Sequence, residues 1–183
     1  MVGEGMELMC DLTSMLSRIR QSKLAHELLV RTARVKGVAA PHAIDATAGF
    51  GEDALLLAAA GFHVQLFEQD PVIAALLADG LSRAADNPQL SPIVARMRLT
   101  QGDSVQALRA RATMDVAVPD VVYLDPMFPA RQKSAAVKKK FQLLHHLESP
   151  CANEEELLHA AIAAKPRKVV IKRPAKGPYL AGI

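Results

Sequence analysis

From about residue 42 onward, short apolar runs alternate with longer segments in which apolar residues recur every three or four positions. The first run, 42–47 (HAIDAT), ends in a turn at Ala48-Gly49-Phe50-Gly51, and a helical segment covers 52–60 before stopping at Gly61. A second strand spans 63–68 (HVQLFE). Pro71 then suits the first turn of a helix reaching about residue 85. Asn87-Pro88 and Ser91-Pro92 bracket a short connection. A third strand over 96–101, a helix over 104–111 and a fourth strand over 121–124 follow. Helical spacing returns at 134–147 and again from Asn153 to about Ala164, and 168–172 (KVVIK) reads as a fifth strand stopped by Pro174. Upstream, Leu12, Met15, Leu16, Ile19, Leu24, Leu28 and Val35 recur at roughly helical spacing, which predicts a helix over 11–36 closed by Gly37 and Pro41.

Strands alternating with helices predict βαβ units and a parallel, doubly wound α/β sheet covered on both faces. The division expected is a helical N-terminal extension, 1–40, and a sheet domain, 41–183. In such a sheet, ligands bind at the carboxyl ends of the strands, near the point where strand order reverses. Asp45, Glu68, Asp103 and Asp125 all lie at or just past those ends. Any one of them could be a turn or helix-cap residue, but four on one edge point to a ligand.

Composition narrows the class. Half of the residues are hydrophobic and 22% are charged, as in a globular domain with its own core. The apolar runs fall far short of the ~20 residues that cross a bilayer. The N-terminus lacks the basic region of a secretory signal. Cys10 and Cys151 are isolated, without CxxC or metal-ligand spacing, and fit the reducing cytoplasm. His145, His146 and His159 also lack ligand spacing, so no metal is expected. Charge is uneven. Residues 1–127 carry 11 Lys and Arg against 15 Asp and Glu, whereas 128–183 carry 11 against 4. A basic half is either a solvated face or a surface for phosphates.

The first turn matches G-x-G-x-x-A through Gly49, Gly51 and Ala54, a pattern that lets backbone approach a ligand closely. Asp45 before the glycines, with Glu52 and Asp53 after them, puts negative charge around the loop. That suits a cationic sulfonium and its ammonium, as in S-adenosylmethionine (SAM), better than a pyrophosphate. Glu68 could accept hydrogen bonds from ribose hydroxyls, and Asp103-Ser104 could bond an adenine, although Gly-Asp-Ser is also a common helix start.

Tyr123-Leu124-Asp125-Pro126-Met127-Phe128-Pro129 carries the sharpest chemical signal. An apolar strand ending in Asp-Pro-x-Phe resembles the [D/N]-P-P-[F/Y] loop of methyltransferases that act on exocyclic amines. The lone pair of a base NH₂ is delocalised into the ring. A carboxylate and a main-chain carbonyl that accept its N–H bonds would aim that lone pair at a methyl group. Proline restricts the loop, and the Phe128 ring would stack on the base.

DATAGFGEDALLLAAAGF, FEQDPVIAALLADGL, VVYLDPMFPARQKSAAVKKK and VVIKRP together resemble the RsmJ-like (YhiQ) methyltransferases, over about residues 43–176. The resemblance implies a class I Rossmann-like fold and methylation of guanine N2 in bacterial small-subunit (16S) ribosomal RNA. By motif it implies cofactor contacts at Glu52, Asp53, Glu68, Gln69, Asp103, Ser104 and Asp125. The family typically has Arg at position 52 and Arg at position 69, a longer N-terminal region and further closing strands after the fifth, which this chain is expected to lack. In that setting Arg131, Lys133, Lys138, Lys139, Lys140, Lys172 and Arg173 become candidate RNA contacts at the mouth where a flipped base would enter. Three other readings stay open from the residues alone: a protein or small-molecule amine as substrate, an NAD-binding oxidoreductase, and a non-catalytic RNA-binding protein. Oligomeric state is not encoded in any of these patterns.

Overall fold

A computed structural model of the chain describes residues 2–3, 6–126 and 154–173, with side chains from residue 8 onward. The expected helix at 134–147 and Asn153, the expected cap of the following helix, lie outside those residues. Their core is a five-stranded parallel sheet made of β3 (His42–Asp45), β4 (His63–Glu68), β5 (Met97–Gln101), β6 (Val121–Leu124) and β7 (Lys168–Ile171). Its strand order is β5-β4-β3-β6-β7. The chain winds outward from β3 through β4 to β5, then returns to the other side of β3. That reversal puts the switch point between β3 and β6, where Asp45 pairs in register with Tyr123.

The helices α3 (Glu52–Ala59), α4 (Pro71–Ala85) and the short α5 (Ser91–Val94) cover one face of the sheet; α6 (Ser104–Thr113) and α7 (Glu154–Ala163) cover the other. Strand side chains alternate between the two cores. On β6, Val121 and Tyr123 join the α3–α4 core, whereas Val122 and Leu124 join the α6–α7 core. All four are buried, so β6 reads as an unbroken apolar run rather than as alternation. Asp70 caps α4 by accepting from the Val72 and Ile73 amides, with Pro71 in the first turn.

The N-terminal region departs from the expected single helix. It begins with a two-stranded hairpin, β1 (Val2–Gly3) and β2 (Met6–Glu7), for which the sequence carries no strong signal. A 3-10 turn at Leu12–Met15, α1 (Gln21–Leu24) and α2 (Leu28–Ala33) then occupy the span of the expected helix. The backbone is extended at Arg20 (ψ 135°) and Glu27 (ψ 124°), and the Arg18 guanidinium bonds both Glu27 carboxylate oxygens at 2.9 Å across the break. Leu12, Met15, Leu24 and Val30 still reach the core. Burial against the sheet domain outweighs the local gain from a continuous helix. Elsewhere the differences are end effects. β3 stops at Asp45 rather than at residue 47, β5 begins at Met97, β7 stops at Ile171, α6 runs two residues further than expected, and Ser91-Pro92 opens α5.

The same N-terminal segment docks on α4. Arg83 donates to the Cys10 carbonyl at 2.6 Å, and Cys10 lies against Gly80, where a Cβ would sit 2.5 Å from its sulfur. Among the described residues, no helix is long and apolar enough to cross a membrane, and no group of three or more His, Cys, Asp or Glu is placed to hold a metal.

Candidate active site

The carboxyl edge of the sheet is built around the turn after β3. Gly49 and Gly51 take left-handed backbone (φ 51° and 71°), and the Gly51 amide donates to the Ala48 carbonyl at 2.7 Å. A side chain at Gly51 would be strained by its φ, and its Cβ would lie 2.9 Å from Leu77 of α4. The third position of the pattern, Ala54, is wholly buried, which lets α3 close on the sheet.

Glu68, at the end of β4, holds this turn in place. One carboxylate oxygen accepts from the Gly49 amide and the other from the Asp70 amide, both at 2.9 Å. Burial pushes its carboxyl up, partly offset by those donors. A carboxylate has about four acceptor positions, so these two bonds leave capacity for ribose hydroxyls. Gln69 beside it is exposed. Asp103 caps α6, with its Oδ1 accepting from the Val105 and Gln106 amides, while Ser104 is half-buried in the first turn. The capping role anticipated for Gly-Asp-Ser is therefore present, and the second Asp103 oxygen remains available to a ligand amine.

At the switch point three carboxylates converge. Asp45 is 1% exposed, and its carboxylate accepts from the Thr47 amide at 3.1 Å. Burial lifts its pKa to about 7; Asp53 and Asp125 add to that rise, against the Thr47 hydrogen bond and the Lys172 charge. Asp53, in the first turn of α3, accepts from the Tyr123 hydroxyl at 2.6 Å. Lys172, just beyond β7, places its Nζ 2.6 Å from Asp53 Oδ2 and 2.8 Å from Asp125 Oδ2. The Asp125 amide donates to the Thr47 hydroxyl at 2.7 Å, which ties the start of the Asp-Pro loop to the turn after β3. Pro126 is buried, and Glu52 is half-buried beside Asp53.

Asp45, Asp53, Asp125 and Lys172 thus form one cluster. Glu68 lies one strand away from it, and Asp103 a further strand away, along the same edge. Thr47 and Tyr123 belong to the cluster, although neither carries an assigned role in the sequence reading. Their signal was positional: Tyr123 is the polar-tipped residue of a buried strand, and Thr47 follows a strand-end acid. Lys172 was expected at an RNA-facing mouth, but its ammonium is turned onto carboxylates. Arg173 is exposed. Met127, Phe128, Pro129, Arg131, Lys133, Lys138, Lys139 and Lys140 lie outside the described residues.

A parallel sheet that reverses between β3 and β6, with a glycine turn and acids on its carboxyl edge, has the architecture of the class I SAM-dependent methyltransferases. Residues 4–183 match the family model described as "Putative SAM-dependent methyltransferase". Over 182 residues, the whole of this chain within rounding, it is 41% identical to ribosomal RNA small subunit methyltransferase J of Neisseria gonorrhoeae and covers 72% of that protein. The protein of the same name from Nitrosococcus oceani is 46% identical over 91% of this chain and 65% of its own length. A crystal structure of a SAM-dependent methyltransferase from Neisseria gonorrhoeae superposes with a TM-score of 0.76 at 36% identity, over 100% of this chain and 70% of that one. The chain belongs to this SAM-dependent methyltransferase family, together with the ribosomal RNA small subunit methyltransferase J proteins. It spans 65–72% of the length of these two curated relatives. The dinucleotide reading of G-x-G-x-x-A gives way to this membership, because the same glycine turn serves both kinds of ligand.

Proposed function

We propose that the chain transfers a methyl group from SAM to the exocyclic N2 amine of a guanine in small-subunit (16S) ribosomal RNA, in the cytoplasm. The observation that carries this reading is Asp125 at the switch point, its backbone amide tied to the Thr47 hydroxyl and its carboxylate met by Lys172, with buried Pro126 directly after it. SAM, when bound, supplies an electrophilic methyl on a cationic sulfur.

The donor set fits that group. Gly49 and Gly51 offer backbone without a Cβ, Glu68 offers acceptors for hydroxyls, and Asp103 with Ser104 offers partners for an adenine. Asp45, Glu52 and Asp53 supply negative charge beside the turn, favourable to a cation. Gln69, adjacent to Glu68, is the further candidate along this rim. Asp125 accepts from the amine N–H, which aims the nitrogen lone pair, and Phe128 is the aromatic expected to stack on the base. Catalysis then comes mainly from holding the nitrogen in line with the methyl. The Asp125 carboxylate adds electrostatic help as positive charge develops on the nitrogen. Arg131, Lys133, Lys138, Lys139, Lys140 and Arg173 are the candidate phosphate contacts, and the relatives' names point to the same substrate.

Thermal unfolding with and without S-adenosylhomocysteine, followed by transfer of labelled methyl from SAM to undermethylated small subunits, tests the proposal. A raised Tm and labelled RNA are expected. A folded protein whose Tm the cofactor product leaves unmoved would refute it, and label that resists nuclease would move the substrate to a protein or small-molecule amine.

A further inference from the structure

Lys172 is oriented for a different task from the RNA contact that its place in the basic half suggests. Its Nζ lies 2.6 Å from Asp53 Oδ2 and 2.8 Å from Asp125 Oδ2. The same Asp53 oxygen takes the Tyr123 hydroxyl at 2.6 Å. Four elements therefore meet through one ammonium: α3 through Asp53, β6 through Tyr123, the loop start through Asp125, and the end of β7 through Lys172. The Lys172 amide also donates to the Leu124 carbonyl at 2.9 Å, so its backbone is fixed beside the residue preceding Asp125.

We propose that Lys172 is a positioning residue for methyl transfer, a cationic clamp that holds the Asp125 side chain turned so that its carboxylate can receive the substrate amine. The proposal rests on the reading of Asp125 given above. Lys172 engages Asp125 through Oδ2, and a carboxylate has a second oxygen with which to accept an N–H. Without the ammonium, Asp125 and Asp53 would be like charges with no cation between them, and repulsion would turn the Asp125 carboxylate out of its place.

The charged and titratable groups around the clamp are Asp45 on β3, Asp53 and Glu52 on α3, Tyr123 on β6, Asp125 itself and Arg173 next to Lys172. The Arg18–Glu27 pair of the N-terminal segment also feels Asp53. Desolvation works against the Lys172 charge, but attraction to Asp53 and hydrogen bonds to both carboxylates outweigh it and raise its pKa. The ammonium thus stays charged across the working pH range.

The test compares wild type with Lys172→Met and Lys172→Arg. Turnover and KM for RNA are measured at pH 8, and the Asp125 carboxyl resonance is followed by NMR at the same pH in carboxyl-labelled protein. In K172M kcat should fall roughly tenfold or more through misplacement of the carboxylate, with KM for RNA little changed. The Asp125 carboxyl resonance should shift, and K172R should restore both towards wild type. The NMR arm needs no substrate, so it judges the clamp even if the RNA reading fails. An Asp125 resonance unmoved in folded K172M would overturn the proposal. So would a raised KM for RNA with a weaker salt dependence and an unchanged kcat, because that is the signature of a phosphate contact.

Discussion

Asp45 holds a charge where the fold least favours one, and replacing it by asparagine should stabilise the protein while weakening the site. In the folded chain its carboxyl is buried and its pKa is about 7, against an ordinary value of 3.8. Folding therefore takes up a proton between those values. The stability that this group supports is complete below about pH 4 and falls as pH rises towards 7, where the buried carboxylate must ionise. A rise from 3.8 to about 7 corresponds to an upper limit of about 4 kcal/mol lost at pH 8. Asparagine avoids this loss and can keep the Thr47 amide bond through its carbonyl oxygen. Its NH₂ group would need partners, which costs ~1–3 kcal/mol if they are missing. With that penalty in full, Asp45→Asn should gain about 1–3 kcal/mol at pH 8, or roughly 3–10 °C in Tm, and lose about 1–3 kcal/mol at pH 4, where the amide penalty stands alone. Thermal unfolding of both proteins without ligand, at intervals from pH 4 to 8, reads this directly. S-adenosylhomocysteine should stabilise the variant less than wild type. Equal Tm values across the whole range would refute the reasoning, because they would mean that Asp45 ionises in the fold at no cost.

Three further substitutions probe the same frame. Glu68→Gln replaces a carboxylate that accepts from the Gly49 and Asp70 amides with a group that has one acceptor oxygen. It should lower S-adenosylhomocysteine affinity about tenfold, equivalent to ~1.4 kcal/mol, as measured by calorimetry. Gly80→Ala puts a Cβ 2.5 Å from the Cys10 sulfur and 2.9 Å from the Cys10 carbonyl. It should cost ~1–3 kcal/mol by overpacking, read as a lower Tm and faster proteolysis of the N-terminal segment. Asp125→Ala should cut methyl transfer by ~10²-fold or more while changing S-adenosylhomocysteine affinity far less; retained turnover would remove the amine-holding role from this residue.

The sheet was legible from the chain because its parallel strands are short, the central ones are apolar, and four of them end at an acid or one to two residues before it. The order of those acids along the chain was enough to put Asp45, Glu68, Asp103 and Asp125 on one edge. The N-terminal region was not legible in the same way. Its apolar spacing fits a helix, but Arg20 and Glu27 are extended so that Leu12, Met15, Leu24 and Val30 can reach the core, a tertiary demand that local periodicity does not carry. The Asp53–Lys172–Asp125 contact was hidden for another reason. Lys172 lies 119 positions from Asp53, and only the pairing of β6 with β7 brings it to Asp125. In sequence it sits among other basic residues, and its neighbours suggested phosphate rather than carboxylate.

Asp125 holding the guanine N2 amine of small-subunit RNA is the step on which the proposed methyl transfer depends. Mass spectrometry of 16S ribosomal RNA from cells lacking this protein, and from the same cells resupplied with wild type or Asp125→Ala, tests that most directly. One N2-methylguanine should be missing without the protein, return with wild type and stay absent with the variant. An unchanged set of N2-methylguanines in the deficient cells would contradict the account.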